Sequence, residues 1–198
     1  VHVCRPFDIP GHWTRWLAVD YGFADPWCVL WLARDPAARH HVYVYREAYA
    51  TGLRDEQQAE QMVQASKGEK LALCVGDPSM FNNRVEQRKP SIAWVYQRHK
   101  VPLMPAVNDR IPGWQAVRRY LAVPAVGRPR LQVLAGRAPN LVRTIPSMVH
   151  DPLDSEDLAD KVRSQKTEDH AVDCLRYGLQ AEAMPERSMV LRDFAVEA

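Results

Sequence analysis

An α/β fold built on one mixed sheet, with three antiparallel strands continued by parallel strands and flanked by helices, is what this 198-residue sequence predicts. Three observations lead there. The apolar runs Leu17-Ala18-Val19 and Trp27-Cys28-Val29-Leu30-Trp31-Leu32-Ala33 flank a tight Gly/Asp/Pro turn, the pattern of a β-hairpin. The β-rich stretch His41 to Tyr49 supplies a third antiparallel strand. After a helix-forming stretch comes the short, wholly apolar Leu71-Ala72-Leu73-Cys74-Val75, a strand buried on both faces that pairs in parallel through a βαβ crossover.

In chain order, residues 1–16 carry Pro6, Pro10 and Gly11 and no initiator Met, and read as a linker entering the domain from a longer protein. The domain itself is expected over 17–184, with a tail over 185–198. Inside the first hairpin strand stands Asp20, where a carboxylate is expensive to bury without a partner. A divalent cation is one such partner; a solvent-facing or turn-capping Asp20 is the other reading. Thr51-Gly52 ends the third strand, and Leu53 to Ser66, rich in Gln, Glu and Ala, reads as a surface helix. Asp77 follows the buried strand at its carboxyl end, where open α/β sheets tend to place their sites. An N-cap or Asp-Pro turn explains Asp77 equally well.

Ser91 to His99 is expected to be helical, and Val101 to Pro105 a short edge strand, since proline is tolerated there. Asn108 to Trp114 leads into a helix with Val117, Tyr120 and Leu121 inside and Arg118-Arg119 on its exposed side. Leu131 to Leu134 reads as a strand and Pro139 to Val149 as a helix. The acidic stretch from Asp151 to Asp160 reads as a solvated loop, with metal binding the alternative. A last helix covers Glu168 to Leu179, capped by Thr167, with Val172, Leu175 and Leu179 as its buried stripe. Asp169 and Asp173 lie four apart and share a face of it. A cation near both would relieve their repulsion; Asp173 pairing with Arg176 or Tyr177 is the structural alternative.

Composition narrows the classes. Hydrophobic residues make up 46% and charged residues 25%, as in globular domains, and a net charge of +2 announces no polyanion partner. The excess of Arg over Lys suits bidentate phosphate contacts, although biased base composition gives the same excess. Cys4, Cys28, Cys74 and Cys174 form no CxxC pair, so neither a zinc site nor a disulfide framework is indicated. No long apolar span or signal peptide appears, which points to the cytoplasm and away from a membrane.

An Asp in the first strand, an Asp at the end of the next parallel strand and an Asp pair on a late helix follow the RNase H-like plan. The segments A-V-D-Y-G-F-A-D-P (18–26), V-G-D-P-S (75–79), R-I-P-G-W (110–114) and D-H-A-V-D-C-L-R-Y (169–177) resemble more closely the C-terminal nuclease domain of phage large terminase subunits. The resemblance spans about Trp16 to Glu182. It implies an RNase H-like fold and metal-dependent cleavage of concatemeric double-stranded DNA during genome packaging. It implies Asp20, Asp77 and Asp173 as catalytic metal ligands, Asp169 as an outer ligand and Asp25 reaching in from its loop, around two Mg²⁺ or Mn²⁺ ions. His170 is expected to point elsewhere on a regular helix. Arg84, Arg88, Lys89, Arg118 and Arg119 are the expected contacts to DNA phosphates. No GxxxxGK[ST] occurs, so the implied partners include an ATPase domain of the same polypeptide, together with the portal protein and small terminase subunit. The implied setting is the infected cell's cytoplasm and, transiently, the procapsid portal. Two other classes remain open: another RNase H-like nuclease such as a Holliday-junction resolvase, and a non-catalytic module that docks a portal or motor.

Overall fold

The structure, a computed structural model, describes residues 1–38, 41–83, 90–159, 161–162 and 165–182. The elements are β1 (Val3–Cys4), β2 (Thr14–Asp20), β3 (Trp27–Asp35), β4 (His41–Ala50), α1 (Asp55–Ala65), β5 (Leu73–Gly76) and α2 (Ile92–Arg98). They are followed by β6 (Met104–Pro105), α3 (Arg110–Leu121), β7 (Leu131–Leu134), α4 (Pro139–Thr144), β8 (Lys161–Val162), β9 (Gln165–Lys166) and α5 (His170–Glu182). A seven-stranded sheet has the order β1-β7-β4-β3-β2-β5-β6. Strands β2, β3 and β4 are antiparallel; β5 and β6 continue the sheet in parallel from β2, and β7 and β1 from β4. This is the mixed sheet the sequence predicts.

The alternation along β2 explains why its apolar run is unbroken. Trp16 and Ala18 face a core closed by α3, α4 and α5, whereas Leu17 and Val19 face a second core closed by α1 and α2. Both faces are dry, so the strand needs no polar face. Burial of each large apolar side chain in these layers contributes about 1.5–3 kcal/mol. The buried tryptophans also find acceptors: Trp16 Nε1 donates to the Gly178 carbonyl and Trp31 Nε1 to Ser66 Oγ, both at 2.9 Å.

The hairpin turn after Asp20 depends on Gly22. A Cβ there would lie 2.3 Å from the Asp25 carbonyl oxygen and 2.4 Å from that of Pro26. Backbone atoms cannot yield as side-chain ends do, so Gly22→Ala is expected to destabilise the fold by about 2 kcal/mol. For a domain of this size that is a fall in Tm of about 4–8 °C, measured by thermal unfolding; an unchanged Tm would mean the turn has slack.

Three expectations are corrected. Residues 1–16 are not all linker: Val3–Cys4 pairs in parallel with Val133–Leu134 at the sheet edge, and Thr14 to Trp16 already belong to β2. Phe7 and Trp13 pack on Tyr43, with ring centroids 5.1 and 5.5 Å away. The helix expected over Pro139 to Val149 stops at Thr144 and gives way to a 3₁₀ turn, Ile145–Ser147, because Pro146 cannot donate to the α ladder. The acidic stretch is not simply solvated. Arg110 Nε meets both carboxylate oxygens of Asp157 at 3.1 Å, and Trp114 Nε1 donates to Asp157 Oδ1 at 2.9 Å. Residues 185–198 and Asp160 lie outside the described residues. Among those described, no helix is long and apolar enough to cross a membrane.

Candidate active site

Asp20 is the last residue of β2, and Val19 is in parallel register with Gly76 of β5. The next residue on each strand is therefore an aspartate, and the pair is tied by Asp77 N–H donating to the Val19 carbonyl at 3.0 Å. Helix α5 lies against β2, where Cys174 Sγ donates to the Ala18 carbonyl at 3.0 Å. Its first turn thus stands over the carboxyl ends of β2 and β5 and brings Asp169, His170 and Asp173 there. Asp20, 6% exposed, stands among them.

The electrostatics register this convergence. The Asp20 carboxyl is pushed up to about 7, chiefly by burial and further by the negative charge of Asp173 and Asp77, against the opposing influence of His170. Burial also raises Asp173, which Arg176 opposes and the Asp169 charge reinforces. The Tyr177 hydroxyl is held well above its ordinary range by burial and by Asp77, Asp173 and Asp20 together. One side chain thus lies in the field of all three carboxylates, drawn from three elements and separated by up to 153 residues of sequence, as their numbers show. The three sites the sequence singles out are brought together.

Each of two carboxylates already has a basic partner. His170 Nδ1 is hydrogen-bonded to Asp20 Oδ2 at 2.9 Å, which corrects the expectation that His170 points away. The helix begins at His170, with the Asp169 carbonyl accepting from Val172 and Asp173 N–H, while Thr167 Oγ1 donates to the Ala159 carbonyl instead of capping it. Arg176 Nε donates to Asp173 Oδ1 at 2.8 Å, so the structural alternative for Asp173 is realised. Arg176 is 1% exposed; its guanidinium lies over the rings of Trp114 and Tyr177 at 5.1 and 4.5 Å, and its Nη2 donates to Asn108 Oδ1 at 3.2 Å. A Cβ on Gly113 would sit 2.7 Å from Arg176 Cγ and Cδ, so the glycine of R-I-P-G-W is what admits the arginine of D-x-x-R-Y. Neither motif's purpose is visible without the other.

Asp77 also serves locally, its Oδ1 accepting from Ser79 N–H at 2.8 Å as the cap of the 3₁₀ turn Pro78–Phe81. Asp25 lies on the exposed hairpin turn, and the charges bearing most on Asp20 are those of His170, Asp173 and Asp77. Arg119 is exposed on α3, but Arg118 is half-buried, donating to the Glu156 carbonyl at 3.0 Å. Arg84, Arg88 and Lys89 lie outside the described residues. Among the described residues, no three His, Cys, Asp or Glu side chains stand close enough to hold a metal ion as placed. The donor chemistry nevertheless fits a hard divalent cation: several carboxylates face one another in a buried setting, and Asp20 is strongly disfavoured as an anion there without added positive charge.

Solved structures that share this fold are nuclease domains of phage large terminases. The large terminase nuclease domain of phage P22 superposes with a TM-score of 0.73 at 16% identity, over 97% of this chain and 91% of that one. The large terminase nuclease of the thermophilic phage G20c, solved with bound magnesium, gives 0.56 at 11% identity, over 89% and 92%. A complete large terminase from another thermophilic bacteriophage gives 0.68 at 16% identity, over 91% of this chain. This chain spans 42% of that longer protein. No protein-family model and no curated protein sequence matches the chain.

Proposed function

We propose that this chain is the nuclease part of a phage large terminase, a divalent-metal-dependent endonuclease that cuts concatemeric double-stranded viral DNA during genome packaging. The observation that carries the reading is the convergence of Asp20, Asp77 and Asp173 on Tyr177 at one sheet end, on the fold of terminase nucleases. Asp20, Asp77 and Asp173 would hold Mg²⁺ or Mn²⁺, with Asp169 as an outer ligand, and a pair of such ions supplies an activated water and stabilises the leaving oxygen of a phosphodiester. The chain's own contribution is to fix the ligands: parallel pairing sets Asp20 beside Asp77, and Arg176 holds Asp173 in place. Arg119 on α3, with Arg84, Arg88, Lys89 and a released Arg118, would contact phosphates without regard to sequence. The partners on this reading are duplex DNA, an ATPase domain in the same polypeptide, the portal and the small terminase subunit. The setting is the infected cell's cytoplasm.

Asp77→Asn provides the sharpest test. The amide oxygen can still accept from Ser79 N–H, so the cap and the Tm are preserved. A ligand role requires loss of the anionic oxygen to reduce plasmid cleavage, with Mg²⁺ or Mn²⁺, to the level seen in EDTA. An Asp77→Asn protein that cuts as wild type does would leave Asp77 as a cap only and remove the nuclease reading's second ligand.

A further inference from the structure

The two basic partners of the carboxylates differ in what they can release. Arg176 is enclosed by Trp114, Tyr177 and Gly113, and it carries a permanent charge that cannot be set free in a buried place without large cost. His170 is on the first turn of α5, is partly exposed, and bonds Asp20 through a single ring nitrogen at 2.9 Å. An imidazole can move aside without stranding a buried charge. Glu168, two residues earlier, is engaged elsewhere: Arg143 Nη1 donates to its Oε2 and Tyr49 Oη to its Oε1, both at 2.8 Å. Asp20 is thus the carboxylate His170 holds at the sheet end.

We propose that His170 is a positioning residue that occupies Asp20 Oδ2 in the metal-free protein and yields it to an incoming divalent cation, thereby setting the affinity of the site. This rests on the metal-dependent reading above. An N–H donor and a metal ion compete for the same oxygen lone pairs, so binding of the ion includes loss of the His170 bond. Without that donor the carboxylates would face one another unrelieved whenever no ion is present.

The test is Mn²⁺ titration of the whole chain by calorimetry, with the metal-induced rise in Tm as a second readout. His170→Ala is expected to bind Mn²⁺ about tenfold more tightly, the equivalent of one modest hydrogen bond to a carboxylate. His170→Phe keeps a ring without the donor and should bind as tightly as the Ala variant, which guards against a loosened helix start. His170→Asn returns an N–H near the position of Nδ1 and should bind as wild type does. Unchanged or weaker binding in the Ala and Phe variants would overturn the proposal, as would an Asn variant that binds as tightly as they do. Wild-type protein that binds no Mn²⁺, or an Asp20→Asn protein that binds it equally well, would instead remove the metal reading, and this inference with it.

Discussion

Asp20→Asn is expected to abolish DNA cleavage and, in metal-free protein, to raise stability at pH 8 by about 1–3 kcal/mol while leaving it unchanged near pH 4. In the unfolded chain this carboxyl titrates near 3.8 and in the fold near 7. Below pH 4 it is protonated in both states and contributes no pH-dependent term. Between the two values the folded state binds the extra proton, so wild-type stability falls as pH rises through that window and stays low above it. The full shift corresponds to about 4 kcal/mol, of which a neutral amide, still desolvated beside His170, recovers part. The measurements are urea unfolding at pH 4 and pH 8 in EDTA, and plasmid nicking with Mn²⁺. A variant that is less stable than wild type at pH 8 yet still cuts DNA would make Asp20 a structural residue.

Arg176→Met is expected to cost about 3–5 kcal/mol at neutral pH, because it leaves the Asp173 carboxylate buried beside other acids without its partner. Methionine retains much of the stem that packs at Gly113, so the lost charge dominates. Adding Asp173→Asn to the same protein should restore most of the loss, since removing both partners is far less damaging than removing one. Acidification should narrow the deficit, because the raised Asp173 carboxyl takes up a proton and no longer needs a counter-charge. Urea midpoints for the two single variants and the double variant, at pH 5 and pH 7.5, decide it. If the double variant is as unstable as Arg176→Met, the cost comes from packing on Trp114 and Tyr177, and the ion pair is incidental.

Much of the sheet was legible because its signals are local. A two-run hairpin, a β-rich third strand and an apolar tetrad beyond a helix specify β2 to β5 by pattern alone, and Asp20 stands out because nothing in a dry strand suits it. What escaped were features sustained by distant partners. β1 is two residues long and exists through its pairing with β7, some 130 positions away. Thr167 looked like a cap because its rival acceptor, the Ala159 carbonyl, belongs to a loop whose path the sequence does not give. That change moves the helix start and turns His170 toward Asp20. Asp157 was one of several similar acids, and only the arrival of Arg110 and Trp114 distinguishes it. Pro146 is the exception, a local signal that the apolar spacing of Leu141, Val142, Ile145 and Met148 concealed.

The docking of α5 on β2 also ties the chemistry to the order in which the polypeptide is made. Asp20 and Asp77 emerge early from the ribosome, whereas Asp173, its arginine and His170 arrive about 90 residues after Asp77. No N-terminal portion that stops short of α5 contains the complete carboxylate set. Such a portion would also leave the sheet face of Trp16, Ala18, Leu30 and Leu32 uncovered, an invitation to aggregation and proteolysis. A half-made chain is therefore both inert toward the genome that encodes it and marked for disposal.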